Sequence, residues 1–297
     1  MFIADFKEAK ASAAKPEIIA VDGILCDLVR NLSSSSANVN CLISPDGDPH
    51  FYQLKPRDRE AIAASDIIFH NGFDLTPVVE RLPSNIPTFA TAELALPSLK
   101  SSKNSDIDPH VWHDPNNISL IVDTIQRNLE NLLPDSELEG LRKRANESKS
   151  ILSDLSDWMS TQVQTIPEQR RVIVTEHRSL SHLASGFGMR ELPLIDSFAT
   201  RGEMRPSDLN RIKTEVKSSG TLAIFPEFIP SSKTLRRISR KANVPITSKP
   251  LFLDGLAPGL TTVETAISNL CLIVDTQGGD CDQKTAKNIA SRWRANK

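Results

Sequence analysis

Residues 136–166 read SELEGLRKRANESKSILSDLSDWMSTQVQTI. Leu138, Leu141, Ala145, Leu152, Leu155, Met159 and Ile166 recur near the i, i+3, i+4, i+7 spacing of one helix face, with no proline among them. Pro134 stands just before the stretch and Pro167 stops it. A ring that fixes φ and carries no N–H belongs at a helix boundary rather than inside. About thirty residues at ~1.5 Å each span roughly 45 Å, longer than most globular helices. The stretch lies at the middle of the chain, so its role depends on what flanks it.

Both flanks show the same rhythm. Before it, EIIAV (17–21) reads as a strand and Asp22 to Leu32 as a helix, with Ile24, Leu25, Leu28 and Val29 at helical spacing. NVNCLI (38–43) is a second strand, PRDREAIAAS (56–65) a short helix, and DIIFHNG (66–72) a third strand ended by Asn71-Gly72. After it, RRVIVT (170–175) is a strand, followed by a helix through Leu180, Leu183 and Ala184. Pro206 to Ser218 is a helix with Leu209, Ile212 and Val216 on one face and Gly220 just past its end. TLAIFP (221–226) and VPITSK (244–249) read as strands, and KTLRRISRKA (233–242) as a helix with a basic solvated face. Alternating strands and helices predict an α/β fold with mostly parallel sheets flanked by helices. Two runs of that rhythm about one long helix predict two similar lobes joined by a spine. The expected division is a flexible lead-in over 1–15, a first lobe over 16–135, the linking helix over 136–166 and a second lobe over 167–297.

Composition narrows the function. The 297 residues are 39% hydrophobic and 24% charged, which suits a folded chain of two ordinary domains. A net charge of −2 gives no basic surplus for nucleic acid. No apolar run approaches the eighteen or so residues of a membrane span. The opening MFIADFKEAKASAAKPEIIAV has no apolar core after a basic start, so no signal peptide is read in it. Cys26, Cys41, Cys271 and Cys281 form no C-x-x-C, which argues against zinc ribbons and thioredoxin-like redox sites. Cys271 and Cys281 flank a Gly-Gly turn and suit either a disulfide in an oxidising compartment or two buried thiols.

Six histidines remain to be placed. Two share a frame: Asp48-Pro49-His50-Phe51-Tyr52 and Asp108-Pro109-His110-Val111-Trp112. Proline stiffens the loop and pushes the residue before it out of the α region. Each frame therefore presents an imidazole from a rigid loop, with a carboxylate nearby to orient backbone or ring. His50 follows the second strand and His177 ends the strand VIVTEH, both at strand carboxyl ends, where ligands gather in α/β sheets. His70 is read as a satisfied histidine inside its strand, His182 as structural on a helix, and His113 first as a surface residue, with support of the site beside His110 as the other reading. Asp254 follows the apolar run KPLFL and precedes a Gly/Pro loop; taken alone it reads as a turn former. Glu227 ends a strand between Phe225 and Pro226 on one side and Phe228 on the other, and is expected to be partly buried and hydrogen-bonded. Glu176 beside His177 gives no direction. Three imidazoles and one or two carboxylates suit zinc, and also manganese or iron(II). A set that fills all four tetrahedral positions leaves none for water, which favours holding a metal over catalysis with it. No H-E-x-x-H, G-x-S-x-G or Gly-rich phosphate loop is present.

In order along the chain, DPHFYQLKPRDREAIAASDIIFHNG, DPHVWHDP, VTEHRSLSHLASGFG, EMRPSDLNRIK, IFPEFIPSSKTL and KPLFLDGL resemble the cluster A-I (zinc/manganese type) solute-binding proteins of metal ABC importers. The resemblance runs from about Pro16 onward. It implies two α/β lobes, one long joining helix and a metal site between the lobes. Carried over, the metal ligands are His50 and His110 from the first lobe and His177 and Asp254 from the second, with Glu227 a supporting residue. Many manganese-type members have glutamate where His177 stands. The His-rich loop of zinc-specialised members is missing from TAELALPSLKSSKNSD, and there is no lipobox cysteine. Zinc(II) is expected first, on three nitrogens and the Irving–Williams order, and manganese(II) next. The implied function is high-affinity binding of a divalent metal on the periplasmic or extracytoplasmic side and its delivery to a membrane ABC permease. A monomer that is not an enzyme is expected. The alternative is a metal-dependent hydrolase that uses the same histidines, with Glu227 as general base.

Overall fold

The structure is a computed structural model that describes residues 14–82, 85–101, 107–198 and 208–296. Nearly all of the expected lead-in, and the start of the helix expected from Pro206, lie outside the described residues. In the first half the elements are β1 (Glu17–Ala20), α1 (Gly23–Ser33), β2 (Asn38–Cys41), α2 (Pro56–Ala63), β3 (Ile67–His70), α3 (Pro77–Glu80), β4 (Thr88–Ala90), α4 (Thr91–Ala95), α5 (Pro97–Ser101) and α6 (Pro115–Glu130). The long helix α7 (Asp135–Gln164) follows. The second half holds β5 (Val172–His177), α8 (Ser181–Phe187), β6 (Arg190–Ile195), α9 (Asp208–Ser218), α10 (Lys233–Ala242), α11 (Thr262–Thr276) and α12 (Gln283–Ala295).

The first lobe is a parallel sheet in the order β2-β1-β3-β4. Its inner strands are apolar on both faces because both faces are covered. Ile18, Ala20 and Phe69 pack with α1 and α6 side chains such as Leu28 and Ile121. Ile19, Val21 and Ile68 point the other way, against Ile62 and Val79. Asp22 caps α1 by accepting from Leu25 N at 3.0 Å, so the helix starts immediately after the strand.

In the second lobe β5 pairs in parallel with β6, from Val172 opposite Arg190 to His177 opposite Ile195. The strands expected over 221–226 and 244–249 lie alongside, but only as fragments. Phe225 N donates to Val174 O at 3.0 Å, and Ile224 and Ile246 form one parallel bridge. Pro226 and Pro245 have no N–H to extend the ladder. The segments run where the rhythm places them without becoming full strands.

Helix α7 is buried along Leu141, Ala145, Ser148, Leu152, Leu155, Met159 and Gln162, an alternation of four- and three-residue steps that keeps one stripe inward. Its two polar members fix its position. Ser148 Oγ donates to Asn31 Oδ1 of α1 at 3.2 Å, and Gln162 Oε1 accepts from Asp282 N at the start of α12 at 2.8 Å. From there α12 runs back along α7 to the first lobe. Its Trp293 is fully buried and donates through Nε1 to Asp27 Oδ2 at 3.1 Å. The cysteines form two disulfides, Cys26–Cys41 between α1 and β2, and Cys271–Cys281 between α11 and the turn before α12.

Candidate metal centre

Four loops converge between the lobes. His50 lies in the loop after β2, His110 in the loop leading to α6, His177 at the carboxyl end of β5, and Asp254 in the loop before α11. Asp254 Oδ1 is 3.1 Å from His110 Nε2, 3.3 Å from His50 Nε2 and 3.4 Å from His177 Nε2, and the two first-lobe Nε2 atoms are 3.0 Å apart. All four donor atoms lie within 4.8 Å of one another. An ion bonded tetrahedrally at about 2.0–2.1 Å holds its ligand atoms roughly 3.3 Å apart. The four distances given are close to that spacing, and the donor set suits a four-coordinate site. The four residues picked from the sequence are the four that meet.

The His110 and His177 imidazoles are held from behind, and the His50 backbone is held by its own frame. In both Asp-Pro-His frames the aspartate accepts from the backbone N–H two residues on, at 2.9 Å for Asp48 and 3.0 Å for Asp108. Asp108 Oδ1 also accepts from the ring Nδ1–H of His110 at 2.7 Å, which turns Nε2 toward the site. Glu227 serves His177 in the same way from fifty residues away. Its Oε1 accepts from His177 N at 3.1 Å and from His177 Nδ1–H at 2.7 Å. His177 Nε2 is buried without a hydrogen bond among the described residues and faces the shared centre.

The side chains of His110 and His177 are fully buried, while those of His50 and Asp254 keep 6% and 11% exposure, so the site meets solvent only on their side. Burial alone would lower the pKa of His177, but the carboxylates of Asp254 and Glu227 outweigh it and push it up to about 11. His110 is raised against the same burial penalty by Asp108 and Asp254. Burial would raise Asp254, yet the three imidazoles hold it well below the usual carboxylate range.

Two of the other three histidines, His113 and His70, differ from the sequence expectation, while His182 is structural on its helix as expected. His113 is buried rather than on the surface, and its Nε2–H donates to Leu253 O at 2.9 Å, beside Asp254. His182 of α8 donates through Nε2 to Asp108 O at 3.0 Å, and neighbouring Ser181 Oγ donates to Asp108 Oδ2, so a second-lobe helix braces a first-lobe ligand loop. His70 is buried, but its Nδ1 finds no partner among the described residues. Glu176 is partly buried, and burial raises its pKa.

Residues 18–276 match the family described as the periplasmic zinc-uptake complex component A, ZnuA. The chain belongs to the ZnuA family. Among curated relatives it is 25% identical over 262 residues to the manganese-binding lipoprotein MntA of Halalkalibacterium halodurans, covering 88% of this chain and 86% of that one. It is also 25% identical over 275 residues to the zinc-binding protein TroA of Treponema pallidum, covering 90% and 89%. The solved structure of the Treponema pallidum periplasmic zinc-binding protein TroA superposes with a TM-score of 0.81 at 24% identity, over 89% of this chain and 99% of that one. That likeness carries the fold: two α/β lobes with parallel sheets. Among the described residues of this ZnuA-family chain, no helix is long and apolar enough to cross a membrane.

Proposed function

We propose that this chain is an extracytoplasmic receptor that binds one divalent transition metal through His50, His110, His177 and Asp254 and delivers it to an ABC permease for import. The observation that carries this reading is the convergence of three Nε2 atoms and one carboxylate oxygen, all within 4.8 Å of one another, from four separate loops. The reading divides the chain into lobes at 16–135 and 167–297 with 136–166 as the link, and treats it as a monomer.

Zinc is the preferred cargo. Three imidazoles and one carboxylate at this spacing suit its four-coordinate geometry, and zinc stands above manganese in intrinsic affinity. Manganese is the second candidate, since relatives in the family are named for either metal. Four protein donors fill the tetrahedron and leave no position for an activated water, which supports carriage rather than hydrolysis. Each lobe supplies half of the donors, so binding favours the closed arrangement and release requires the lobes to part.

Thermal melting of chelator-stripped protein tests this. At a metal concentration of 100 Kd, binding stabilises the fold by about 2.7 kcal/mol, which is a readily measured rise in Tm. The wild type should show it with zinc, and more weakly with manganese, whereas His110→Ala should lose it. A wild type whose Tm ignores both metals contradicts the proposal.

A further inference from the structure

We propose that the loop carrying Asp254 is latched to the first lobe on both sides of the ligand, and that the latch sets how fast the metal leaves. The inference rests on the proposed role of the site. On one side of Asp254, Leu253 O accepts from His113 Nε2–H at 2.9 Å. On the other, Leu256 N donates to Pro45 O at 2.6 Å. Pro45 begins the loop that ends in His50. The loop is tied to its own lobe further out: Leu251 N donates to Pro226 O at 2.8 Å, the Asn269 side chain of α11 pairs with Phe252 N and O at 3.0 and 2.7 Å, and Ala257 N donates to Thr265 Oγ1 at 3.1 Å. The carboxylate ligand thus sits on a short segment held across the cleft by two backbone carbonyls.

Two glycines make the second contact possible. A Cβ on Gly255 would stand 2.4 Å from Pro45 O, and one on Gly23, at the start of α1, would stand 2.5 Å from the same oxygen and 2.8 Å from Pro45 Cα. The Pro45 carbonyl is therefore enclosed between the α1 terminus and the Asp254 loop. Any side chain at Gly255 has to separate the His50 and Asp254 loops by about 0.6 Å to reach 3.0 Å, the shortest contact a real Cβ tolerates. Metal–ligand bonds hold to about ±0.2 Å. That mismatch decides the outcome: the shift is absorbed at the metal, and one or more of its bonds lengthen. Gly23 and Gly255 are positioning residues for His50 and Asp254.

The test uses the full chain as wild type, Gly255→Ala, Gly23→Ala and Gly188→Ala. Gly188 follows α8 at φ 69°, and a Cβ there meets nothing within 4 Å, so its alanine variant strains the backbone without touching the latch. Zinc release into excess chelator and the visible absorption of the cobalt(II)-loaded protein are measured on each. Gly255→Ala and Gly23→Ala should release zinc at least tenfold faster and weaken or shift the tetrahedral cobalt bands. Gly188→Ala should lower the metal-free Tm yet keep the wild-type rate and spectrum. If Gly255→Ala does not fold, His113→Phe, which removes the other latch bond, should also speed release. Wild-type rates and spectra in the latch variants overturn the inference. A wild type that takes up neither zinc nor cobalt overturns instead the proposed function on which it rests.

Discussion

Asp108 and Glu227 hold their histidines with the same device. One carboxylate oxygen accepts from both the backbone N–H and the ring Nδ1–H of the same histidine, fixing tautomer and direction together. Such supporting partners typically contribute 10–100-fold to metal affinity. Glu227→Gln, which weakens the acceptor without changing the size of the side chain, should raise the Kd for zinc by that factor in a competition titration and leave the metal-free fold intact. Protonation provides a second check at this scale. Asp254 and Glu227 raise the pKa of His177 against burial, so a proton competes with the metal for its Nε2. Affinity should therefore fall as pH drops from 8 to 5, and calorimetry in buffers of different ionisation enthalpy should show about one proton or more released per metal. The Asp48–His50 and Asp108–His110 contacts were legible in the sequence because each is local and enforced by the intervening proline. The partnership of His177 with Glu227 was not, since fifty residues separate them and only the fold brings β5 beside residue 227. His113 supports the site rather than facing solvent for a local reason. Residues 111–113 form a 3-10 turn with His110 at its cap, and in such a turn residues three apart lie on the same side. His113 consequently points where His110 points, toward the second lobe.

Among the elements, α7 was the most legible, because thirty residues of one periodicity outweigh local ambiguity. Leu155 is fully buried on the inward stripe. Leu155→Ala should cost about 2–5 kcal/mol in urea unfolding, from lost transfer energy and the cavity left behind. An exposed position such as Lys143 should tolerate the same change within about 0.5 kcal/mol. The less regular second-lobe elements were harder to see. β6 carries Pro193 in mid-strand and begins with Arg190-Glu191, so its pattern does not announce a strand. Helices α11 and α12 are not among the elements expected from the sequence. Yet α11 opens on a capping box, Thr261 with Glu264, which was available as a start signal.

At the scale of the whole molecule, the two lobes are tied by α7, by α12 and by the ligand loops themselves, so stability, pH and metal are coupled. Burial lowers the pKa of His70 from 6.5 to about 4, only partly opposed by Glu93. As pH falls below 6.5 the unfolded chain takes up this proton and the folded chain does not. The contribution is present in full above 6.5 and is lost by about pH 4, amounting to about 3 kcal/mol. The metal-free protein should accordingly lose stability over that range, and His70→Leu should flatten the profile in pH-dependent chemical unfolding. Two lobes and a long link were readable from the repeated rhythm alone. How closely the lobes meet was not, because Pro45, Gly23 and Gly255 signal their contact only through absent side chains. The central claim is that four protein donors, and no water, surround the metal. X-ray absorption at the zinc edge of the stoichiometrically loaded protein tests it most directly. Three imidazole nitrogens and one carboxylate oxygen at about 2.0–2.1 Å are predicted, whereas a five- or six-coordinate shell with solvent oxygens would contradict it.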